Sequence, residues 1–172
     1  DRDQARIVFG MAKRMVELEP ELSGAVKVYR DVIENPATGS IYKVLSAEAF
    51  SKEGLNPSLV IFDEVHVQPN RELWDVMNLG SGTRLQPLIL GITTAGVKSD
   101  STGADSICYE LYQYGQKVQS GEVDDSSFFF RWWEPSTGAE ADWRDPDVWA
   151  EADPALGDFP FREDFATSAR TT

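Results

Sequence analysis

Residues 59–66 read LVIFDEVH, and no other stretch says as much about the fold. Four consecutive apolar residues are typical of a strand buried on both faces of a parallel sheet. Two acidic residues, Asp63 and Glu64, follow that strand directly. In open α/β sheets, ligands bind beyond the carboxyl ends of the strands, so the stretch places both carboxylates at the edge where a ligand is expected.

A second apolar stretch, LILGI at residues 88–92, follows after a predicted helix at 71–79. Strand, helix and strand within this length predict a right-handed βαβ unit with parallel strands. The second strand leads directly into Thr93 and Thr94. We therefore expect two hydroxyl groups to lie beside the two carboxylates.

This combination fits the chemistry of an NTPase. One carboxylate, that of Asp63, would serve Mg²⁺ next to the nucleotide phosphates, and Glu64 would orient and deprotonate the attacking water. The hydroxyls of Thr93 and Thr94 can reach the γ-phosphate or the attacking water. They can also transmit the presence or loss of the γ-phosphate to the rest of the molecule. The same residues also fit a plainer interpretation, in which a strand ends in an acidic loop and a Thr-rich turn follows its neighbour.

The rest of the chain predicts a mixed α/β domain with a Pro-rich end. Expected elements are a helix at 3–18, strands at 25–33 and 41–45 around a turn at 35–39, a mobile loop at 100–103, a helix at 104–118 and a strand at 128–133. From residue 134 onward, prolines and acidic residues predict a linker that packs by its aromatic side chains.

The composition of the chain excludes several classes of function. The 172 residues suit one domain, and their net charge of −13 disfavours binding nucleic acid by bulk positive charge. One cysteine, Cys108, and one histidine, His66, exclude a disulfide framework and a Cys- or His-based metal cluster. Cys108 is expected to be a small buried hydrophobe. No apolar run approaches the ~18 residues of a membrane span, and no secretory signal is visible, so a cytoplasmic setting is expected.

Five motifs, in their order along the chain, resemble the large terminase subunit of tailed bacteriophages, the ATP-driven motor that pumps DNA into procapsids. They are DQA at 3–5, EGLNPS at 53–58, DE at 63–64, ITTAG at 92–96 and WWEP at 132–135. Residues 145–157 resemble the family's link between ATPase and nuclease domains.

The resemblance implies a three-layer, P-loop NTPase-like α/β fold of the RecA/ASCE type, with a mainly parallel central sheet and an N-terminal truncation. Residues 1–134 would be the C-terminal part of the ATPase domain, and residues 135–172 a linker toward a nuclease domain. Asp63 and Glu64 match the Walker B pair, and the run from Thr93 to Ala95 matches the coupling motif. The implied cofactors are Mg²⁺ and ATP.

The implied partners are double-stranded DNA, a small terminase subunit and the portal, with a ring-forming homo-oligomer in the bacterial host cytoplasm and no membrane. Motors of this kind complete their site with a basic residue from the neighbouring subunit. Lys52 is the predicted residue and Arg84 the alternative, although each also fits an ordinary solvated charge. Because the chain is acidic, we expect partner subunits or the nuclease domain to supply most DNA contacts.

Two departures from the family pattern limit what this chain is expected to do. It begins without Met and contains no G-x-x-x-x-G-K-[ST] loop, which in the family would precede Asp1. The nuclease domain would follow Thr172. We therefore expect a piece of a longer protein that, alone, neither hydrolyses ATP appreciably nor cuts DNA.

Two other functions remain open from the sequence. A DExH-box helicase fragment fits the run from Asp63 to His66, with Thr93 to Ala95 in the place of the helicase Ser-Ala-Thr motif. The other alternative is a non-enzymatic, acidic α/β interaction module whose paired carboxylates are coincidental.

Overall fold

The computed structural model describes residues 2–45, 54–158 and 162–171. These residues form two compact units, Asp1–Tyr112 and Gln113–Thr172. The regular elements are α1 (Arg2–Leu18), α2 (Pro20–Ala25), β1 (Lys27–Val28), β2 (Val32–Asn35), β3 (Ser40–Lys43), β4 (Leu59–Asp63), a 3₁₀ helix (Val65–Val67), α3 (Glu72–Gly80), β5 (Leu88–Ile92), α4 (Ile107–Gln119), a 3₁₀ helix (Gly138–Glu140), α5 (Pro146–Ala152) and α6 (Arg162–Thr171).

The first unit opens with α1 and an antiparallel sheet in the order β1-β2-β3. The predicted helix is confirmed, and Phe9 on its buried side stacks on Tyr42 of β3 with ring centroids 5.6 Å apart. The predicted turn joins β2 to β3 in a hairpin, closed by hydrogen bonds from Thr38 and Gly39 to the carbonyl of Asn35. The helix α2 was not predicted: proline ends one helix but also suits the first turn of the next.

The predicted βαβ unit is present. Strands β4 and β5 pair in parallel, with Leu59 opposite Leu88 at one end and Asp63 opposite Ile92 at the other. Helix α3 connects them in sequence. Because the strands are in this register, the residues that follow each of them lie at the same edge of the sheet.

The core of the first unit lies against one face of β4 and β5. Phe62, Val65, Met77, Ile107 and Cys108 form the buried cluster. The phenyl ring of Phe62 packs on Trp74 of α3 at a centroid distance of 4.9 Å. Apolar burial of this kind contributes about 25 cal/mol per Å² removed from water.

The expectation that β4 is buried on both faces is wrong for the part of the chain that the structure describes. The opposite face is formed by Leu59, Ile61, Leu88, Leu90 and Ile92, and each of these side chains is between 42% and 57% exposed. Within these residues the sheet of β4 and β5 is parallel and has two strands, and a separate antiparallel sheet has three, so a mainly parallel central sheet stays a prediction.

The second unit contains the end of α4, then a segment at 128–133 that was predicted to be a strand and is not one. Alternate aromatic rings of that segment stack on one another, Phe128 on Phe130 at 6.5 Å and Phe130 on Trp132 at 6.3 Å. A Cβ atom on Gly115 of α4 would collide with the ring of Phe130. Five of its six residues are aromatic, and the segment packs on helix α4 without pairing to another strand among the described residues.

The end of the second unit contains two helices, α5 and α6. Asp145 caps α5 by accepting a hydrogen bond from the backbone N–H of Asp147, and Pro146 takes its first position. Trp149 of α5 is buried and packs on Phe165 of α6. Across the described ranges, no helix combines the length and apolar character needed to cross a bilayer.

Candidate functional site

The end of β4 makes an abrupt change of direction at Glu64. Its backbone is left-handed, with φ 55° and ψ 56°, and no other described non-glycine residue has a positive φ. This conformation costs a side-chain-bearing residue of order 1 kcal/mol, and such strain clusters at functional sites. The turn leads directly into the short 3₁₀ helix that begins at Val65.

The end of β5 meets this turn through His66. The backbone N–H of His66 donates a hydrogen bond to Thr93 Oγ1 at 3.0 Å, and the ring Nδ1 lies 3.0 Å from the same oxygen. Thr94 Oγ1 lies 3.5 Å from Nδ1. The two predicted motifs are therefore joined directly by a histidine.

Glu64 also contacts this histidine. Its Oε2 lies 3.0 Å from His66 Nδ1 and is shielded from solvent, although the pair is too poorly aligned to form a full hydrogen bond. The hydroxyl hydrogen of Thr93 goes to the carbonyl of Thr94 at 2.9 Å. With a hydroxyl and a carboxylate oxygen both 3.0 Å from Nδ1, we place the imidazole hydrogen on Nδ1, where Thr93 Oγ1 accepts it and Glu64 Oε2 lies close by.

Two residues after β5 shape the space around this histidine. At Gly96, a Cβ atom would come within 2.6 Å of the Cβ of His66. Cys108, at the start of α4, is 6% exposed. Burial raises the pKa of its thiol, and the nearby Thr93 side chain and Gly96 backbone oppose the change. Its predicted role as a small buried side chain is confirmed.

Substitution Gly96→Ala tests how tightly His66 is held. Because the new methyl group would overlap the histidine Cβ, the free energy of unfolding should fall by about 1–3 kcal/mol. The measurement is urea unfolding followed by circular dichroism. Gly10→Ala in α1 is the matched control: its Cβ meets nothing within 4 Å, so helix propensity should raise stability by about 0.5–1 kcal/mol. Equal stability of Gly96→Ala and the wild type would show that the contact is loose.

Comparison with known proteins identifies the family. A model described as "Terminase large subunit, ATPase domain" matches residues 1–117, which is more than half of the chain. The chain belongs to the terminase large subunit family. The resemblance inferred from the motifs is confirmed, and the helicase alternative is set aside.

Relatives of this terminase chain agree with the match. The "Terminase, large subunit" of Enterobacteria phage HK97 is 31% identical over 173 residues, which cover 98% of this chain and 32% of that protein. "Protein YmfN" of Escherichia coli (strain K12) is 31% identical over 111 residues, covering 64% of this chain and 23% of that protein.

A solved structure is also similar. The crystal structure of the HK97 bacteriophage large terminase matches with a TM-score of 0.78 and 29% identity, covering 99% of this chain and 34% of that one. The likeness extends to the mixture of helices and strands and to the parallel pair. The terminase chain spans about a third of the length of these HK97 relatives.

Of the two basic residues predicted from the sequence, the structure describes only Arg84. Lys52 lies outside the described residues. Arg84 donates hydrogen bonds from Nε and Nη2 to the carbonyl of Asn56, at 2.9 and 2.7 Å. Asn56 lies just before Ser58, whose carbonyl accepts a hydrogen bond from the backbone N–H of Leu88 where β4 and β5 begin. Arg84 therefore stabilises the amino-terminal end of this sheet, whereas Asp63 lies at its carboxyl end.

Asp63 and Glu64 are the acidic residues of the site that could contact a magnesium nucleotide. Within the described ranges, no group of three or more His, Cys, Asp and Glu residues could hold a metal by itself. Mg²⁺ commonly takes one or two carboxylates and completes its shell with substrate phosphates and water. Asp63, exposed at the last position of β4, matches that requirement.

The contacts that His66 makes were not expected from the sequence. From the sequence, this residue was interpreted as the last residue of a DExH box. The sequence carried no signal for this role, because the contact depends on the left-handed backbone of Glu64 and on the approach of the neighbouring strand end.

Proposed function

We propose that this chain supplies the Walker B and coupling segments of an ATP-hydrolysing motor that packages double-stranded viral DNA into procapsids. One observation supports the proposal above all: Glu64 and Thr93, from the ends of two parallel strands, meet at His66. Family membership supports the wider setting.

Each side chain has a separate role in this proposal. Asp63 would hold Mg²⁺, which when bound neutralises charge on the β- and γ-phosphates. Glu64 orients the attacking water and accepts its proton. Thr93 and Thr94 sense whether the γ-phosphate is present. Lys52 is retained as the basic residue offered to a neighbouring subunit.

The proposed architecture is a three-layer P-loop fold completed by parts of a longer protein. The half-exposed apolar face of β4 and β5 supports this, because such a face is normally covered in an α/β domain. We assign residues 1–134 to the ATPase domain and 135–172 to the linker. The small subunit, the portal and a homo-oligomeric ring in the host cytoplasm complete the proposed setting, and basic surfaces elsewhere in that assembly contact the DNA.

Magnesium-dependent nucleotide binding tests the assignment of Asp63. In a longer terminase that contains this segment and a phosphate-binding loop, Asp63→Asn should weaken ATP binding about 10- to 100-fold with Mg²⁺ present. With EDTA the variant and the wild type should bind equally, because only the metal-dependent part of affinity is lost. Fluorescence titration with a labelled, non-hydrolysable ATP analogue gives both values.

Two control proteins are titrated in the same way. Asp124→Asn removes an exposed carboxylate in the loop after α4 and should bind like the wild type. The 172-residue chain has no G-x-x-x-x-G-K-[ST] loop and should neither bind tightly nor turn over ATP appreciably. If the longer protein bound no magnesium nucleotide, the interaction-module alternative would replace the motor.

A further inference from the structure

We propose that His66 is a positioning residue that ties the carboxylate of Glu64 to the hydroxyl of Thr93. Through this tie, the carboxylate reaches its working position only when the end of β5 is in place. The inference rests on the proposed function, since it assumes that Glu64 orients the attacking water.

The histidine is fixed from the β5 side. Two groups of His66, its backbone N–H and its ring Nδ1, both lie 3.0 Å from Thr93 Oγ1. Its Cβ lies where Gly96 leaves room for it, and its side chain is 25% exposed. A movement of Thr93 would therefore move both the backbone and the ring of His66.

On the other side, Glu64 depends on the same ring. Glu64 has a left-handed backbone, and the turn that follows brings His66 back toward it. As a result, Glu64 Oε2 lies 3.0 Å from His66 Nδ1. That oxygen is shielded from solvent while the side chain as a whole is 39% exposed, so water does not replace the contact. Because the contact is poorly aligned, a small rotation of the imidazole ring changes how well Oε2 is satisfied.

The consequence is reciprocal coupling. His66 Nδ1 lies 3.0 Å from Thr93 Oγ1 and 3.0 Å from Glu64 Oε2, so a hydrogen placed on Nδ1 is shared between these two oxygens. A shift of Thr93 changes the share of that hydrogen available to Glu64, and a shift of Glu64 has the same effect on Thr93. We infer that the position of the β5 tip sets the rate of hydrolysis through this one ring.

Steady-state ATP hydrolysis by a longer terminase that includes a phosphate-binding loop provides the test. His66→Ala should lower kcat about 10- to 100-fold and change KM for ATP less than about threefold, because positioning is lost but the phosphate cradle is kept. His66→Asn should recover most of the loss, since its amide nitrogen can occupy the place of Nδ1. Thr93→Val should reproduce the defect of His66→Ala.

The double variant His66→Ala, Thr93→Val is the decisive comparison. If one ring carries the coupling, the double variant should be no slower than the poorer single variant. Thr38→Val, in the β2–β3 turn, is the matched control and should hydrolyse ATP like the wild type. Losses that multiply, or a His66→Asn variant as slow as His66→Ala, would overturn the proposal.

Two further measurements separate the possible failures. If Glu64→Gln retains turnover, the proposed function fails and this inference fails with it, whereas loss in Glu64→Gln combined with normal kcat in His66→Ala overturns only the positioning role. Nitrogen-15 NMR of the imidazole in the 172-residue chain needs no activity and no variant. A hydrogen on Nδ1 supports the tie, and an unprotonated Nδ1 overturns it.

Discussion

Glu64→Gln is expected to lower kcat for ATP by about 10²- to 10⁴-fold in a longer terminase that contains this segment and a phosphate-binding loop. Glutamine keeps the size and the left-handed backbone of the residue but cannot accept the proton of the attacking water. The affinity for magnesium nucleotide should stay within about twofold, because Asp63 and the phosphate-binding loop are intact. Coupled-enzyme turnover and analogue titration measure the two quantities separately.

The matched control for this variant is Glu122→Gln, which makes the same change at an exposed position in the second unit. Its turnover should equal that of the wild type. Persistent turnover in Glu64→Gln would remove Glu64 from the role of base. A loss of nucleotide affinity instead of kcat would point to a binding role.

Trp149→Ala is expected to reduce the stability of the second unit by about 3–5 kcal/mol. Trp149 is 8% exposed, and its ring packs on Phe165 with centroids 5.8 Å apart. Its indole N–H also donates a hydrogen bond of 2.6 Å to the carbonyl of Trp143. Truncation removes the ring contact, leaves a cavity between α5 and α6, and frees the carbonyl. Urea unfolding followed by far-ultraviolet circular dichroism measures the loss.

Trp143→Ala is the corresponding control. This tryptophan is 44% exposed, and the guanidinium of Arg144 lies over its ring, 3.9 Å from the centroid. Alanine keeps the backbone carbonyl that Trp149 uses, so the loss should be about 1 kcal/mol or less. Similar losses for both variants would show that α5 and α6 are not held together by Trp149.

The βαβ unit could be predicted because its signals are local. Two short apolar runs, each bounded by turn residues, specify β4 and β5, and parallel pairing follows from the intervening helix. The strand predicted at 128–133 failed for a physical reason. Five aromatic residues in six positions suit an extended chain, and that composition is the same whether the partner is a strand or a helix such as α4.

Part of the candidate site could be predicted on the same basis. Parallel register alone brings the residues after β4 and β5 to one edge, so the placement of Glu64 and Thr93 at the same edge was expected. The linking role of His66 was not expected, because it depends on a left-handed turn and on the space left by Gly96. Those are contacts between distant parts of the chain, which periodicity and spacing do not reveal.

The half-exposed apolar face of β4 and β5 also affects the colloidal behaviour of the separate chain. Its aliphatic side chains favour association with a second copy of the chain, whereas the net charge of −13 makes the copies repel each other. The range of that repulsion is the Debye length, about 30 Å at 0.01 M salt and about 8 Å at 0.15 M. Raising the ionic strength therefore shortens the repulsion, so two copies can approach closely enough for their apolar faces to associate.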